Sequence, residues 1–304
     1  MKILYNNKDV SDQARVLSLR YESNLSKFSD SLVLVMQDGD GSWSQSGLQV
    51  GDVLEVEEHG IATGKLFIWS IQSDKTSIRI EALSQPPQAK SVRYALWKGI
   101  RFQTLVQNAA KRLGLDCRFY GCDNPLYAEI EQNNLSDLRF LSQLCALESC
   151  GLLVQNKTLI IYSLDWLAVQ SAQMTIDLKD NASLVCVDER GHLYQKAIVK
   201  SDEIEGSFST SIDGNVLIET AWKPTSTAEA TRFAKGLLRQ ANLYLRRGSV
   251  GLNLDAGLVA GTVFRLTSTK RPDWDGIYVA YRVRHDLVKQ KTNVWFRPLK
   301  EVSG

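Results

Sequence analysis

The chain has 304 residues, of which 44% are hydrophobic and 23% charged, with a formal net charge of +2. That length suggests about two domains, and the near-neutral balance argues against dedicated nucleic-acid binding, which favours strongly basic surfaces. No apolar run reaches the roughly 18 residues of a transmembrane helix, and the start "MKILYNNKDV" is too short and too polar for a signal peptide.

Residues 1–88 read as β. Apolar and polar residues alternate in "VLSLRY", "SDSLVLVMQD", "DVLEVEE", "KLFIWSIQ" and "SIRIEAL", as half-buried strands require. "HGIATG" (59–64) reads as a hairpin loop, and the two prolines of "SQPPQAK" (84–90) mark a domain boundary. Residues 89–163 form a small α+β domain. "FQTLVQNAAKRLGL" places Phe102, Leu105, Val106, Ala109, Ala110 and Leu113 on one helical face, with Gly114 as its stop. "LSDLRFLSQLCALESCG" predicts a second helix, capped by Ser136, with Asp137 at its positive end and Gly151 as its stop. "GLLVQNKTLIIYS" is a hairpin turning on Asn156-Lys157. Residues 164–304 are β again, with a hairpin expected at Asp213-Gly214. A single long helix interrupts at about 226–247, carrying Phe233, Leu237, Ala241 and Tyr244 on one face. Arg246 and Arg247 close its last turn, and Gly248 caps it.

The strand pattern is written twice. "GDVLEV" (51–56), "GKLFIWSIQSDK" (64–75) and "IRIEAL" (78–83) return in the same order as "GTVFRL" (261–266), "GIYVAYRVRHDL" (276–287) and "VWFRPL" (294–299). Inward positions are expected to match: Leu54 and Val56 with Phe264 and Leu266; Phe67, Trp69 and Ile71 with Val279, Tyr281 and Val283; Ile78, Ile80 and Leu83 with Val294, Phe296 and Leu299. The period is far too long for a solenoid. The fold class read from this is α+β, mainly β: two similar β-barrel domains of tube type with the small α+β domain between them.

"YESNLSKFSDSLVLVMQDGDGSWSQSGLQVGDVLEV" (21–56), "SDLRFLSQLCALESCGLLVQNKTLIIY" (136–162), "AEATRFAKGLLRQAN" (228–242) and "GIYVAYRVRHDLVKQKTNVWFRPL" (276–299) together resemble the phage late control D family. These are baseplate hub proteins of tailed phages and related contractile particles, akin to the hub part of type VI secretion valine-glycine repeat proteins. The resemblance covers most of the chain in the right order. It implies a homotrimeric ring of duplicated barrels that adapts a sixfold tail tube to a threefold central spike. The implied partners are further copies of the chain, the spike protein, a tail tube or tube-initiator protein and other baseplate proteins. DNA passes only as transient cargo in the channel, and no membrane is involved. It also implies a place in the virion tail baseplate after assembly in the bacterial cytoplasm, which suits five unpaired-in-number cysteines. The ending "PLKEVSG" leads us to expect a separate spike rather than a fused one.

No catalytic, cofactor-binding or metal-ligating residue is assigned. The histidines, His59, His192 and His285, lack a second ligand at metal spacing, and His285 and Asp286, as strand neighbours, point to opposite faces. No Walker loop, dinucleotide fingerprint or nucleophile elbow is present. Cys117-x4-Cys122 and Cys145-x4-Cys150 read as buried thiols, because residues five apart on a helix lie about 140° apart. "DGDG" (38–41) fails as an EF-hand, since Met36 and Gly47 would fill the first and last ligand positions. The seven tryptophans are scattered, which suits packing better than a sugar platform. The alternative reading is a baseplate-associated cell-wall hydrolase or carbohydrate-binding β protein, which would need a compact acidic pair in a cleft.

The outward positions of the two copies differ in charge. Glu55 corresponds to Arg265, Glu81 to Arg297, and Ser70 and Gln72 to Arg282 and Arg284. The expected use of Glu55, Glu81, Arg265, Arg282, Arg284 and Arg297 is a head-to-tail subunit interface, against drift on a solvated face or a lumen-facing role.

Overall fold

A computed structural model describes residues 1–25, 29–178 and 183–300. The closing residues 301–304, from which the unfused spike was expected, lie outside them, as does 26–28 of the first stretch resembling the hub family.

The first β unit holds β1 (Lys2–Tyr5), β2 (Lys8–Asp9), β3 (Val16–Asn24), β4 (Ser31–Gln37), β5 (Val53–Glu58), β6 (Ile61–Ala62), β7 (Leu66–Ser73) and β8 (Ser77–Leu83). Its strands lie side by side in the order β3-β4-β8-β7-β5-β1. Strict alternation sends Leu32, Leu34 and Met36 of β4, and Ile78, Ile80 and Ala82 of β8, into one core with Leu19, Leu54 and Leu66. The DGDG segment is a loop tied by Asp38, whose Oδ1 accepts from the Trp43 N–H at 2.7 Å.

The α+β segment follows with β9 (Val92–Arg101), α1 (Phe102–Leu113), β10 (Asp116–Tyr120), β11 (Leu126–Ser136), α2 (Asp137–Leu147), β12 (Cys150–Gln155), β13 (Thr158–Ser163) and α3 (Leu164–Ala168). Gly114 takes the left-handed conformation that ends α1, at φ 65°. Asn156 and Lys157 turn the β12–β13 hairpin, both at positive φ. Ser136 stands at the N-cap of α2 but makes no side-chain cap bond; Asp137 instead takes Arg112 at 2.9 Å. Gly151 is not the helix stop. It lies in β12, where a Cβ would come within 2.2 Å of the Tyr162 ring.

The last segment carries β14 (Met174–Leu178), β15 (Leu184–Asp188), β16 (Tyr194–Ser201), β17 (Ile204–Ser209), β18 (Asn215–Glu219), α4 (Thr227–Asn242), β19 (Arg246–Asn253), β20 (Val263–Ser268), β21 (Gly276–Asp286) and β22 (Lys291–Pro298). Three expectations are corrected here. Asp213-Gly214 is no hairpin turn, because β17 and β18 flank β16 on opposite sides and do not pair with each other. The helix ends at Asn242, so Arg246, Arg247 and Gly248 belong to β19. Gly248 is needed there because a Cβ would lie 2.5 Å from the Phe296 ring. Residues 194–242 also do not pack as part of the second β unit. Ala197 and Val199 of β16 and Ala230, Phe233, Ala234 and Leu238 of α4 share one core with α1, α2 and β12. The middle body is therefore built from two stretches of chain, the second inserted between β15 and β19.

With that insertion set aside, the two β units have the same topology. The first runs β3-β4-β8-β7-β5 and the second β15-β19-β22-β21-β20. Both contain a β-bulge at the same place. The β7–β8 ladder skips Trp69, and the β21–β22 ladder skips Tyr281. The extra residue switches the strand's phase. The inward residues are therefore Leu66, Ile68 and Ile71 in one copy and Tyr278, Ala280 and Val283 in the other. Phe67 and Trp69, expected inward, lie on the opposite face, as do Val279 and Tyr281: Trp69 donates its Nε1–H to the Gln85 carbonyl at 2.8 Å under the Lys90 ammonium. The last block shifts by two residues. Ile71 stands opposite Ile80 and Val283 opposite Val294, while Ser70 faces Glu81 and Arg282 faces Trp295. Glu81 thus corresponds to Trp295, and Arg297 to Leu83. Beyond the five strands the copies part: β1 joins β5 antiparallel, whereas β14 joins β20 parallel.

The two β units are one sheet, joined where β21 pairs with β3. The whole is α+β and mainly β.

The middle body depends on a close crossing of α4 over the end of α2, where a Cβ on Gly236 would meet the Leu147 carbonyl oxygen at 2.1 Å. Gly236→Ala should therefore lower stability by about 1–3 kcal/mol through overpacking, although alanine is the better helix former. Thermal denaturation followed by circular dichroism measures the loss.

Candidate functional site

The junction of the two β units brings together a cluster of mutually bonded polar side chains. β3 and β21 run antiparallel, with Asn24 opposite Arg282, Ser23 opposite Val283, Glu22 opposite Arg284, Tyr21 opposite His285 and Arg20 opposite Asp286. On one face the Glu22 carboxylate accepts from Arg282 at 2.7 Å, from Arg284 at 2.9 Å and from Asn24 at 2.8 Å. Both guanidiniums lie over the Trp295 ring, 4.2 and 5.4 Å from its centre, which adds cation–π attraction. Burial by itself would raise the Glu22 carboxyl; the bonds and charges of Arg282 and Arg284 outweigh it and hold it below the usual carboxylate range.

On the other face His285 is fully buried. Its Nε2 lies 3.0 Å from the Leu258 carbonyl and its Nδ1 3.0 Å from the Thr292 hydroxyl. A carbonyl only accepts, so Nε2 carries the proton and Nδ1 accepts from Thr292. Burial lowers the imidazole's proton affinity and keeps it neutral. The residue is structural, with both nitrogens used. Tyr21 stacks beside it and donates its hydroxyl to Asp30 at 2.8 Å. Asp30, almost fully buried, also accepts from the Asn24 N–H at 3.0 Å. Desolvation pushes its carboxyl from 3.8 up to about 7, against the bonds that oppose it.

The six residues expected at an interface are dispersed. Arg282 and Arg284 meet at the seam, already partnered by Glu22 of the same chain. Glu81 pairs with Arg79 at 2.7 Å on the neighbouring part of the first unit. Glu55 is half-buried in β5 and Arg265 exposed in β20. Arg297 is buried, not outward, with Nη1 donating to the Pro298 carbonyl at 2.9 Å and the guanidinium over Tyr244. Sequence reasoning missed Glu22, Asn24, Asp30 and Trp295. The acid in "YESN" becomes informative only once the β3–β21 register is known.

All five cysteines are free thiols. Because α2 ends at Leu147, Cys145 and Cys150 share one core after all, with Cys117 and Cys122 packed against it. Burial raises the Cys117 thiol to about 11. Among the described residues no group of three His, Cys, Asp or Glu side chains is placed to hold a metal ion, and no helix is long and apolar enough to cross a membrane.

No family model and no curated protein matches the chain. Solved structures do. The fold is that of tail proteins of phages and of related secretion machinery. The chain is similar to the 43 kDa tail protein of prophage MuSo2 from Shewanella oneidensis, at a TM-score of 0.75 and 11% identity over 98% of each chain. It is similar to the tail protein from Neisseria meningitidis MC58, at 0.75 and 10% identity, covering 97% of this chain and 95% of that one. It is also similar to the E. coli c3393 protein, at 0.66 and 11% identity, covering 100% of this chain and 79% of that one. That protein is a component of the type VI secretion system with structural similarity to the T4 bacteriophage tail proteins gp27 and gp5. At such identities the likeness establishes the fold.

Removing the acid at the seam leaves two half-buried cations without their partner. Glu22→Ala should destabilise the chain by about 1–3 kcal/mol, less than a fully buried pair would cost because both arginines keep some solvent. Hydrogen exchange should speed up at the amides of 282–286 before it does elsewhere in the second unit.

Asp30 supplies a pH test. Its pKa is raised on folding, so between about 4 and 7 the folded chain holds a proton that the unfolded chain releases. Stability should fall as pH rises through that window, by an order of a few kcal/mol. Asp30→Asn should flatten this slope and gain on the natural chain at pH 8, as read by urea denaturation at pH 5 and pH 8.

Proposed function

We propose that the chain is the structural hub of a phage tail or tail-like particle, a homotrimeric ring that adapts a sixfold tail tube to a threefold central spike. The carrying observation is the internal duplication: two five-strand units of one topology, with the same bulge at Trp69 and Tyr281, joined edge to edge. Three such chains present six similar units on one side, as a sixfold tube needs, while the chain itself repeats three times, as a spike needs. The spike, the tube or its initiator and other baseplate proteins are the partners, and cargo DNA crosses the central channel.

The role is geometric rather than catalytic. Asp30, Glu148 and His285, whose proton affinities burial shifts, are each spent on internal bonds: Glu148 lies 2.8 Å from Arg232 and accepts from the Tyr127 hydroxyl at 2.7 Å.

Multi-angle light scattering of the purified chain, alone and with its cognate spike, tests the reading. The expected result is a mass of three chains, with a central opening in negative-stain images. A monomer under both conditions, or cell-wall lysis by the pure chain, contradicts it.

A further inference from the structure

The β21 edge is shared by two partners. Residues 276–279 pair with β20, and residues 282–286 pair with β3. The changeover falls at the bulge, where Gly261 N–H donates to the Ala280 carbonyl at 2.8 Å and Leu25 N–H to the Tyr281 carbonyl at 2.8 Å.

β7 repeats the first half of this arrangement. Phe67 and Leu66 pair with Val53 and Leu54, and Gly51 N–H donates to the Ile68 carbonyl at 2.8 Å. Past Trp69 that edge carries no ladder among the described residues. Gln72, Ser73 and Asp74 are exposed, whereas their counterparts Arg284, His285 and Asp286 are buried or half-buried.

The other half of the junction is repeated too. β15 holds the place of β3, since Leu184 faces Val250 as Leu19 faces Leu34. One edge of β15 pairs with β19, and among the described residues the other carries no strand. Tyr21, Glu22, Ser23 and Asn24 are buried in β3; none of their counterparts Cys186, Val187, Asp188 and Glu189 is, and Val185 is 56% exposed. Each half of a formed junction thus occurs a second time, open, on the same chain. An open strand edge is a template for another strand.

We propose that residues 70–74 of one copy pair antiparallel with residues 185–189 of a second copy, in the register of the seam within the chain. Ser70 then lies opposite Glu189 of the second copy, Gln72 opposite its Val187, and Asp74 opposite its Val185. The proposal rests on the ring reading and gives it an interface, because the contact is head to tail and repeats around a closed ring.

The charges explain why the two kinds of seam do not exchange. The formed seam matches Glu22 with Arg282 and Arg284. At the equivalent places the open edges carry Val187 against Ser70 and Gln72, none of them charged, and the neighbouring acid Glu189 is already held by Arg247 at 2.8 Å. Pairing β7 with β3 would cover Glu22 without a cation, and pairing β21 with β15 would leave Glu189 to be shared by Arg247, Arg282 and Arg284. Both leave charge poorly compensated.

The register can be read directly. Leu25 N–H bonds to the Tyr281 carbonyl and Leu287 N–H to the Leu19 carbonyl, which makes Glu22 and Arg284 a non-hydrogen-bonded pair, with Cα atoms about 4.5 Å apart in such ladders. That spacing admits a disulfide. The test is the double variant Gln72→Cys with Val187→Cys in a Cys186→Ser background, oxidised mildly and run on a non-reducing gel beside light scattering of the same sample. Reducible chain-to-chain bonds, closing as a ring of three, are expected. Each single variant, and the out-of-phase pair Gln72→Cys with Val185→Cys, should give none. An oligomer without these bonds overturns the pairing and leaves the ring standing. A monomer without them overturns both. Open cross-linked chains of more than three copies support the pairing and overturn the threefold ring.

Discussion

The antiparallel ladder between β3 and β21 is the constraint on which the rest of this structure depends. Without it, the two β units would be separate bodies strung on a middle domain. With it, one sheet runs from β15 to β2, and the units are held in a fixed rotation and offset. The ladder is polar on one face, through Glu22, and tightly packed on the other, through His285 and Tyr21. A slip by one residue would exchange those faces and carry the Glu22 carboxylate toward the apolar core. The alternation of polar and packed faces thus ties the register to the partners of Glu22 and His285.

The middle body reinforces that arrangement from outside the sheet. It is fed by two stretches of chain that leave and re-enter the β units at different points. Ser84, at the end of β8, donates to the Val154 carbonyl of β12, and Ser29 bridges to Val154 beside it. Asp30 lies between these contacts and the seam, accepting from Tyr21 and Asn24. One buried carboxyl therefore lies where the first unit, the seam and the middle body meet. The insertion of 194–242 between β15 and β19 also explains why the second unit is much longer in sequence than the first while using equivalent strands.

Much of this was legible from residue order. Period-two alternation located the strands of both units, and the echo of 51–83 in 261–299 pointed to duplication before any pairing was known. Residues that break local periodicity were not legible. Trp69 and Tyr281 read as inward because they continue the alternation of Ile71 and Val283, and only the ladder reveals the extra residue that reverses it. Gly248 and Gly151 looked like helix stops because glycine commonly is one; here it is required by the close approach of Phe296 and Tyr162. The stretch 194–242 looked like part of the β region because its strands are β, yet its apolar faces find partners on α1 and α2. Burial against a distant segment leaves no local mark. The seam was half visible: Arg282 and Arg284 stood out as charges, but their partner Glu22 lies some 260 residues upstream and belongs to them only through the fold.

The duplication has a kinetic side. Two units on separate chains would meet by diffusion, and their seam would loosen on dilution. Here both lie on one chain, so the β3–β21 junction forms as an intramolecular event at an effective concentration set by the intervening chain rather than by the cell. Half of the seams in any closed array of these units would then be present before two chains collide. Building such an array from fused pairs would take fewer than half as many encounters, and each pair would bring its own sheet already formed.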